Sequence, residues 1–118
     1  MHIENRLLVM DAPFCGSRCY LRFDKYTHGD GVRMELRDVD DHYPVATCTV
    51  NVPSADLSPN EVFIKDYSEN EGVLDYLVSE GVVDDRVEAD MMSGQVIITA
   101  HRLTNEVLKY IEPLKLIL

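Results

Sequence analysis

The sequence has 118 residues, 46% of them hydrophobic, with 21 acidic against 11 basic side chains and a formal net charge of −10. That size suits one domain with one core over residues 1–118, apolar enough to fold without crosslinks or a structural metal. A pI near 4.6 argues against nucleic acid or an anionic membrane as a direct ligand, because both repel such a surface.

No apolar run approaches the roughly 18 residues needed to cross a bilayer, and Glu4 stands where a secretory leader carries unopposed positive charge. Three cysteines, Cys15, Cys19 and Cys48, are an odd number, which fits a reducing compartment and a cytoplasmic protein.

Arg6 to Met10 reads as an edge strand entering a loop at Pro13 and Gly16, with His2 in a frayed terminus. From Arg18 to Tyr26 the pattern alternates, with Cys19, Leu21 and Phe23 on one face and Tyr20, Arg22 and Asp24 on the other. His28-Gly29-Asp30-Gly31 supplies a tight turn, and the next run places Val32, Met34 and Leu36 inward with Arg33, Glu35 and Arg37 outward, completing a hairpin. Tyr43 to Val52 predicts one further strand, closed by Pro53.

Val62 to Ile64 is a short β-prone run. Ser68 and Glu71 are spaced as a capping box ahead of Val73, Leu74, Leu77 and Val78, which fall at helical spacing, and Gly81 is placed for a left-handed stop. Val82 to Met92 reads as an irregular acidic loop, Gln95 to Leu103 as a strand introduced by Ser93-Gly94, and Thr104 as the cap of a last helix that Pro113 interrupts. The fold class implied is α+β: one antiparallel sheet of five or six strands with a central helix and a short C-terminal helix over 104–118. The expected core is Leu21, Phe23, Met34, Leu36, Val50, Leu74, Leu77, Val96 and Ile98.

Chemistry-bearing patterns are few. Cys15, Cys19, Cys48 and a histidine are a conceivable zinc set, but cysteines among apolar strand neighbours read as small core side chains. Asp38, Asp40, Asp41 and His42 resemble a hard-cation cluster, yet lack the glycine and distal glutamate of a calcium loop and read as a solvated turn. His2, His28, His42 and His101 are scattered, and His101 reads as a structural side chain. With no nucleophile elbow, phosphate loop or metalloprotease motif, a non-enzymatic protein without cofactor is expected.

The charge is concentrated: residues 56 to 90 hold 11 acids against Lys65 and Arg86 alone. Such a stretch repels itself and few local ion pairs can relieve it. Asp66, Glu69, Glu71, Asp75, Glu80, Asp84, Asp85 and Glu88 are therefore the expected contacts for a basic partner, presenting carboxylates as a duplex presents phosphates. The apolar tail, Leu114, Leu116, Ile117 and Leu118, is the alternative contact, through which a second copy would form a homodimer.

Val50-Asn51-Val52-Pro53, the run from Asn60 through Lys65-Asp66-Tyr67-Ser68-Glu69-Asn70-Glu71-Gly72, then Leu74-Asp75, Gly81-Val82-Val83 and Ser93-Gly94, carry a further signal. Together they resemble a domain-of-unknown-function family from bacterial phages, plasmids and other mobile elements, over about residues 18 to 103. In that family a β-meander leads through a loop to a KDYSENEG segment, a leucine-bearing helix and a Ser-Gly strand; Thr104 to Leu118 extends beyond the pattern. The family has no assigned activity. The resemblance implies a bacterial host, and small acidic proteins of such elements often act on host defence or transcription machinery. An anti-CRISPR or anti-restriction inhibitor binding a basic nucleic-acid-binding host complex is the resulting expectation.

Overall fold

The computed structural model describes residues 2–4, 7–12, 17–29 and 31–114. Strands β1 (His2–Glu4), β2 (Leu7–Ala12), β3 (Ser17–Lys25), β4 (Val32–Asp38) and β5 (Pro44–Thr47) form an antiparallel sheet in chain order. The expected hairpin is β3–β4, with Leu21 opposite Leu36 and Phe23 opposite Met34. These four side chains, with Cys19, form the buried face of the sheet. Burial of each of the four larger side chains is worth roughly 1.5–3 kcal/mol. His2 lies in β1, not in a frayed end, and β2 pairs on both sides, so it is not an edge. The loop residues Pro13, Cys15 and Gly16, and Asp30 of the turn, lie outside the described residues.

The second face of β4 departs from simple alternation. Glu35 points away from the core as expected but is only 5% exposed. Arg33 Nη2 donates to its Oε2 and Arg37 Nε to its Oε1, each at 2.6 Å. Burial alone would raise the carboxyl; the hydrogen bond from Arg37, with the charge and hydrogen bond of Arg33, outweighs that and holds it below its usual range.

A single sheet is not what forms. The expected strand from Tyr43 to Val52 breaks at Cys48, and the chain leaves the first sheet for a second one of β6 (Thr49–Val50), β7 (Glu61–Ile64), β8 (Ala89–Ser93) and β9 (Val96–Arg102), ordered β6-β7-β9-β8 and all antiparallel. Cys48 belongs to both: its N–H donates to Met34 O in the first sheet and its carbonyl accepts from Lys65 N beside the second, each at 2.8 Å. The buried Thr49 hydroxyl accepts from Met34 N at 3.3 Å and shares a hydrogen bond with Tyr26 Oη at 2.5 Å. Burial pushes the Tyr26 phenol up, partly opposed by that bond to Thr49.

Helices α1 (Val73–Ser79) and α2 (Asn105–Ile111) pack on the same core as the first sheet through Val73, Tyr76, Leu77, Val107 and Ile111. Strand β7 is buried on both faces: Val62 and Ile64 join this core, while Phe63 joins a smaller one with Ile98 and Ala100. That explains its unbroken apolar run. Of the expected core, Val50, Leu74 and Val96 are only partly buried, packed against its margins.

The Glu35 pair generates a pH dependence. A carboxyl depressed in the folded state stabilises above its unfolded pKa, about 4.3, and loses that contribution as pH falls through the folded value. Glu35→Gln is expected to lose about 1–3 kcal/mol at pH 7 and to converge on the wild type at strongly acidic pH, measured by urea unfolding across pH. Parallel stability curves would contradict the clamp.

Candidate functional site

Within the acidic segment the chain is tied to Cys48 at Lys65, and the carboxylates that follow are partly spent on structure. Asp66 Oδ1 accepts from Gly72 N at 2.9 Å and Leu74 N at 3.2 Å, satisfying amides at the start of α1. The Ser68–Glu71 capping box does not form. Ser68 sits at φ 57 in a 3-10 turn over Ser68–Asn70, Gly72 at φ 96 is the N-cap, and the helix begins only at Val73. The reach from Asp66 replaces the box because this turn carries Ser68 out of the capping geometry.

Glu69 pairs with Lys65 Nζ at 2.6 Å, and the ammonium also lies 5.7 Å from the centre of the Tyr67 ring. Their hydrogen bond raises the Lys65 pKa and lowers that of Glu69. Asn70, 1% exposed, donates through Nδ2 to Thr47 O at 2.6 Å, fastening the turn to the end of β5.

Helix α1 ends as the sequence predicts. Gly81 at φ 74 lets its own N–H reach Val78 O and the Val82 N–H reach Leu77 O, a Schellman stop. Thr104 accepts from Val107 N at the start of α2 and donates to Gly81 O at 2.7 Å, joining the two helices.

The stretch after Gly81 is not an irregular loop. Val83 bridges Leu103, Asp84 N donates to Arg102 O, and Glu88 N donates to Ala100 O, so the chain runs antiparallel along β9 until β8 takes over the ladder. His101, 1% exposed, donates from Nδ1 to Asp84 O at 2.9 Å, and its Nε2 lies 2.7 Å from Thr99 Oγ1. It is the satisfied structural histidine the sequence suggests.

The eight expected contact carboxylates therefore divide. Asp66 caps, Glu69 is held by Lys65, and Glu88 lies 3.7 Å from Arg86 Nε. Glu71 and Asp75 are exposed at the front of α1; Glu80 is half-buried at its end; Asp84 and Asp85 are exposed beyond it. Among the described residues these five make no ion pair. At 1.5 Å per residue, Asp75 and Glu80 are separated by only about 8 Å along the helix axis.

Strand β8 was hidden in the sequence: Ala-Asp-Met-Met-Ser has no β-branched residue, and Ser93-Gly94 was the only signal of a hairpin. Gly94 at φ 62 turns β8 into β9. The consequence is an exposed cross-strand pair, Met92 opposite Ile97, 58% and 67% exposed.

Other candidates resolve into structure. Asp38 Oδ1 accepts from Asp40 N and Asp41 Oδ1 from Tyr43 N, turn contacts that occupy the aspartates; His42 at φ 63 meets Tyr20 Oη at 3.1 Å through Nδ1. Cys19 and Cys48 are buried in the main core, and no three His, Cys, Asp or Glu side chains among the described residues are grouped to hold a metal. A cleft of about 210 Å³ lies between the β3–β4 turn and the segment 50–58, but Asn51 and Glu61 on its wall bond to His28 O and Ser58 N. Leu114 closes a last 3-10 turn, while its side chain and Leu116, Ile117 and Leu118 lie outside the described residues. Among the described residues no helix is long and apolar enough to cross a membrane.

No protein-family model, curated protein or solved structure matches the chain.

The capping assignment separates two single substitutions. Asp66→Ala is expected to lower stability by about 0.5–2 kcal/mol, whereas Ser68→Ala should change it by less than about 0.5 kcal/mol, both read from urea midpoints. The reverse order would restore the capping box.

Proposed function

We propose that the chain is a non-catalytic acidic protein that docks onto a basic, nucleic-acid-binding surface of a bacterial host protein and blocks it, as an anti-CRISPR or anti-restriction inhibitor would. The observation that carries this reading is the fate of the two bases in the acidic segment: Lys65 and Arg86 are already engaged with Glu69 and Glu88. Glu71, Asp75, Asp84 and Asp85 are thereby left exposed without a cation among the described residues. Such charge favours a cationic partner and speeds its association in a salt-dependent way. The likeness of the KDYSENEG stretch to proteins of mobile elements supports the choice of a host defence target.

The test is capture from a bacterial lysate at about 0.05 M and about 0.5 M salt, which differ severalfold in screening. Nucleic-acid-binding proteins should be recovered at the lower salt, displaced by DNA, and lost with the variant Glu71→Lys, Asp75→Lys, Asp84→Lys, Asp85→Lys, whose fold is checked by circular dichroism. Undiminished capture by the reversed variant would sink the proposal. Sedimentation of the same samples separates a dimeric module, which would self-associate regardless of the charge reversal.

A further inference from the structure

The second sheet has an open side. Among the described residues strand β8 pairs only with β9, and the two-residue turn makes Ser93 and Val96 the closing pair, so Ala89, Met91 and Ser93 turn their main-chain groups towards β9. By the alternation of an antiparallel ladder, the N–H and C=O of Asp90 and Met92 point outward, and among the described residues neither makes a main-chain bond on that side. The opposite edge of this sheet, β6, is only two residues long.

The side chains bordering this edge specify what fits. Asp90 and Met92 are two apart and share one face; Thr99 lies opposite Asp90 and Ile97 opposite Met92. That face carries an exposed apolar pair beside an exposed carboxylate, with Glu88 exposed just before the strand. Unpaired edges invite a further strand unless something repels it. A second copy would bring its own Glu88 and Asp90, and a net charge of −10, to the same place. A cationic strand would be attracted.

We infer that β8 is a docking edge for an extended segment of a basic protein, which adds a fifth strand to this sheet through the main chain of Asp90 and Met92. On its exposed face the segment sets an aliphatic side chain against Met92 and Ile97 and a lysine or arginine against Asp90. The sign of the partner's charge rests on the acidic-surface reading, whereas the docking geometry rests on the sheet edge.

The probe is an acetylated, amidated peptide, Lys-Thr-Val-Thr-Lys-Thr-Val-Thr, in which lysine and valine alternate along one face, titrated into the isotopically labelled full chain and followed by NMR. Shifts centred on Ala89–Ser93 and Ile97, with contacts between peptide amides and those of Asp90 and Met92, are expected. N-methylation of the peptide amides facing β8 removes these bonds while leaving the charge intact, and should weaken binding at least about tenfold. Met92→Pro, which deletes an outward donor, should do the same, with Ile97→Ser as a second variant that leaves the backbone alone.

Equal binding of the N-methylated peptide, or shifts confined to Glu71, Asp75, Asp84 and Asp85, overturns strand addition while leaving the acidic-surface reading standing. Equal binding of the peptide with glutamate for lysine overturns the cationic choice. Absence of any binding, or concentration-dependent pairing of β8 with itself, overturns the proposal.

Discussion

Cys48 is the residue on which the two halves of the molecule meet. Its N–H belongs to the first sheet through Met34 and its carbonyl to the second through Lys65, so one peptide position must satisfy both ladders. A buried main-chain group left unpaired costs on the order of 1–3 kcal/mol, which makes this crossing expensive to displace in either direction. The surroundings hold it from the side chains as well: Thr49 meets Met34 N and Tyr26 Oη just after it, and Asn70 meets Thr47 O just before it. The smallness of the cysteine thiol, fully buried in the main core, suits a point where two sheets converge.

From that crossing the acidic segment is fixed stepwise. Lys65 is tied to Cys48, Asn70 to Thr47, the start of α1 to Asp66, its end to Thr104 through Gly81, and the following stretch to His101 through Asp84. Each tie pairs a main-chain group with a specific polar side chain or another main-chain group. The carboxylates left over are thus displayed from an anchored backbone, not from a loose loop. Preorganisation of this kind reduces the ordering cost of binding, which is what allows exposed charge to contribute to a complex. The same ladder that anchors Asp84 and Glu88 continues into β8, so the charged stretch and the open sheet edge are parts of one run along β9.

Much of this was legible in residue order. The β3–β4 alternation, the left-handed stop at Gly81 and the Thr104 cap are local signals, and each appears where the sequence places it. What failed was non-local. The run from Tyr43 to Val52 alternates throughout, and nothing local shows that Cys48 must serve two sheets. Ser68 and Glu71 have the spacing of a capping box, but a caps contest is decided by backbone geometry, and Ser68 at φ 57 loses it to Asp66. Glu35 has the outward direction its position implies; that it is nonetheless buried and paired with the arginines two residues either side is something the alternation rule does not register. Strand β8 escaped because its pairing with β9, and not its own composition, makes it a strand.

The crossing at Cys48 holds the acidic segment in place, and native-state hydrogen exchange of the labelled chain reads that directly. The amides of Cys48 and Lys65, which make the two bonds of the crossing, are predicted to exchange only with global unfolding, at rates matching those of the β3–β4 core. Fast exchange at Lys65, with β3 and β4 still protected, would show that the segment opens independently of the sheets and would contradict this.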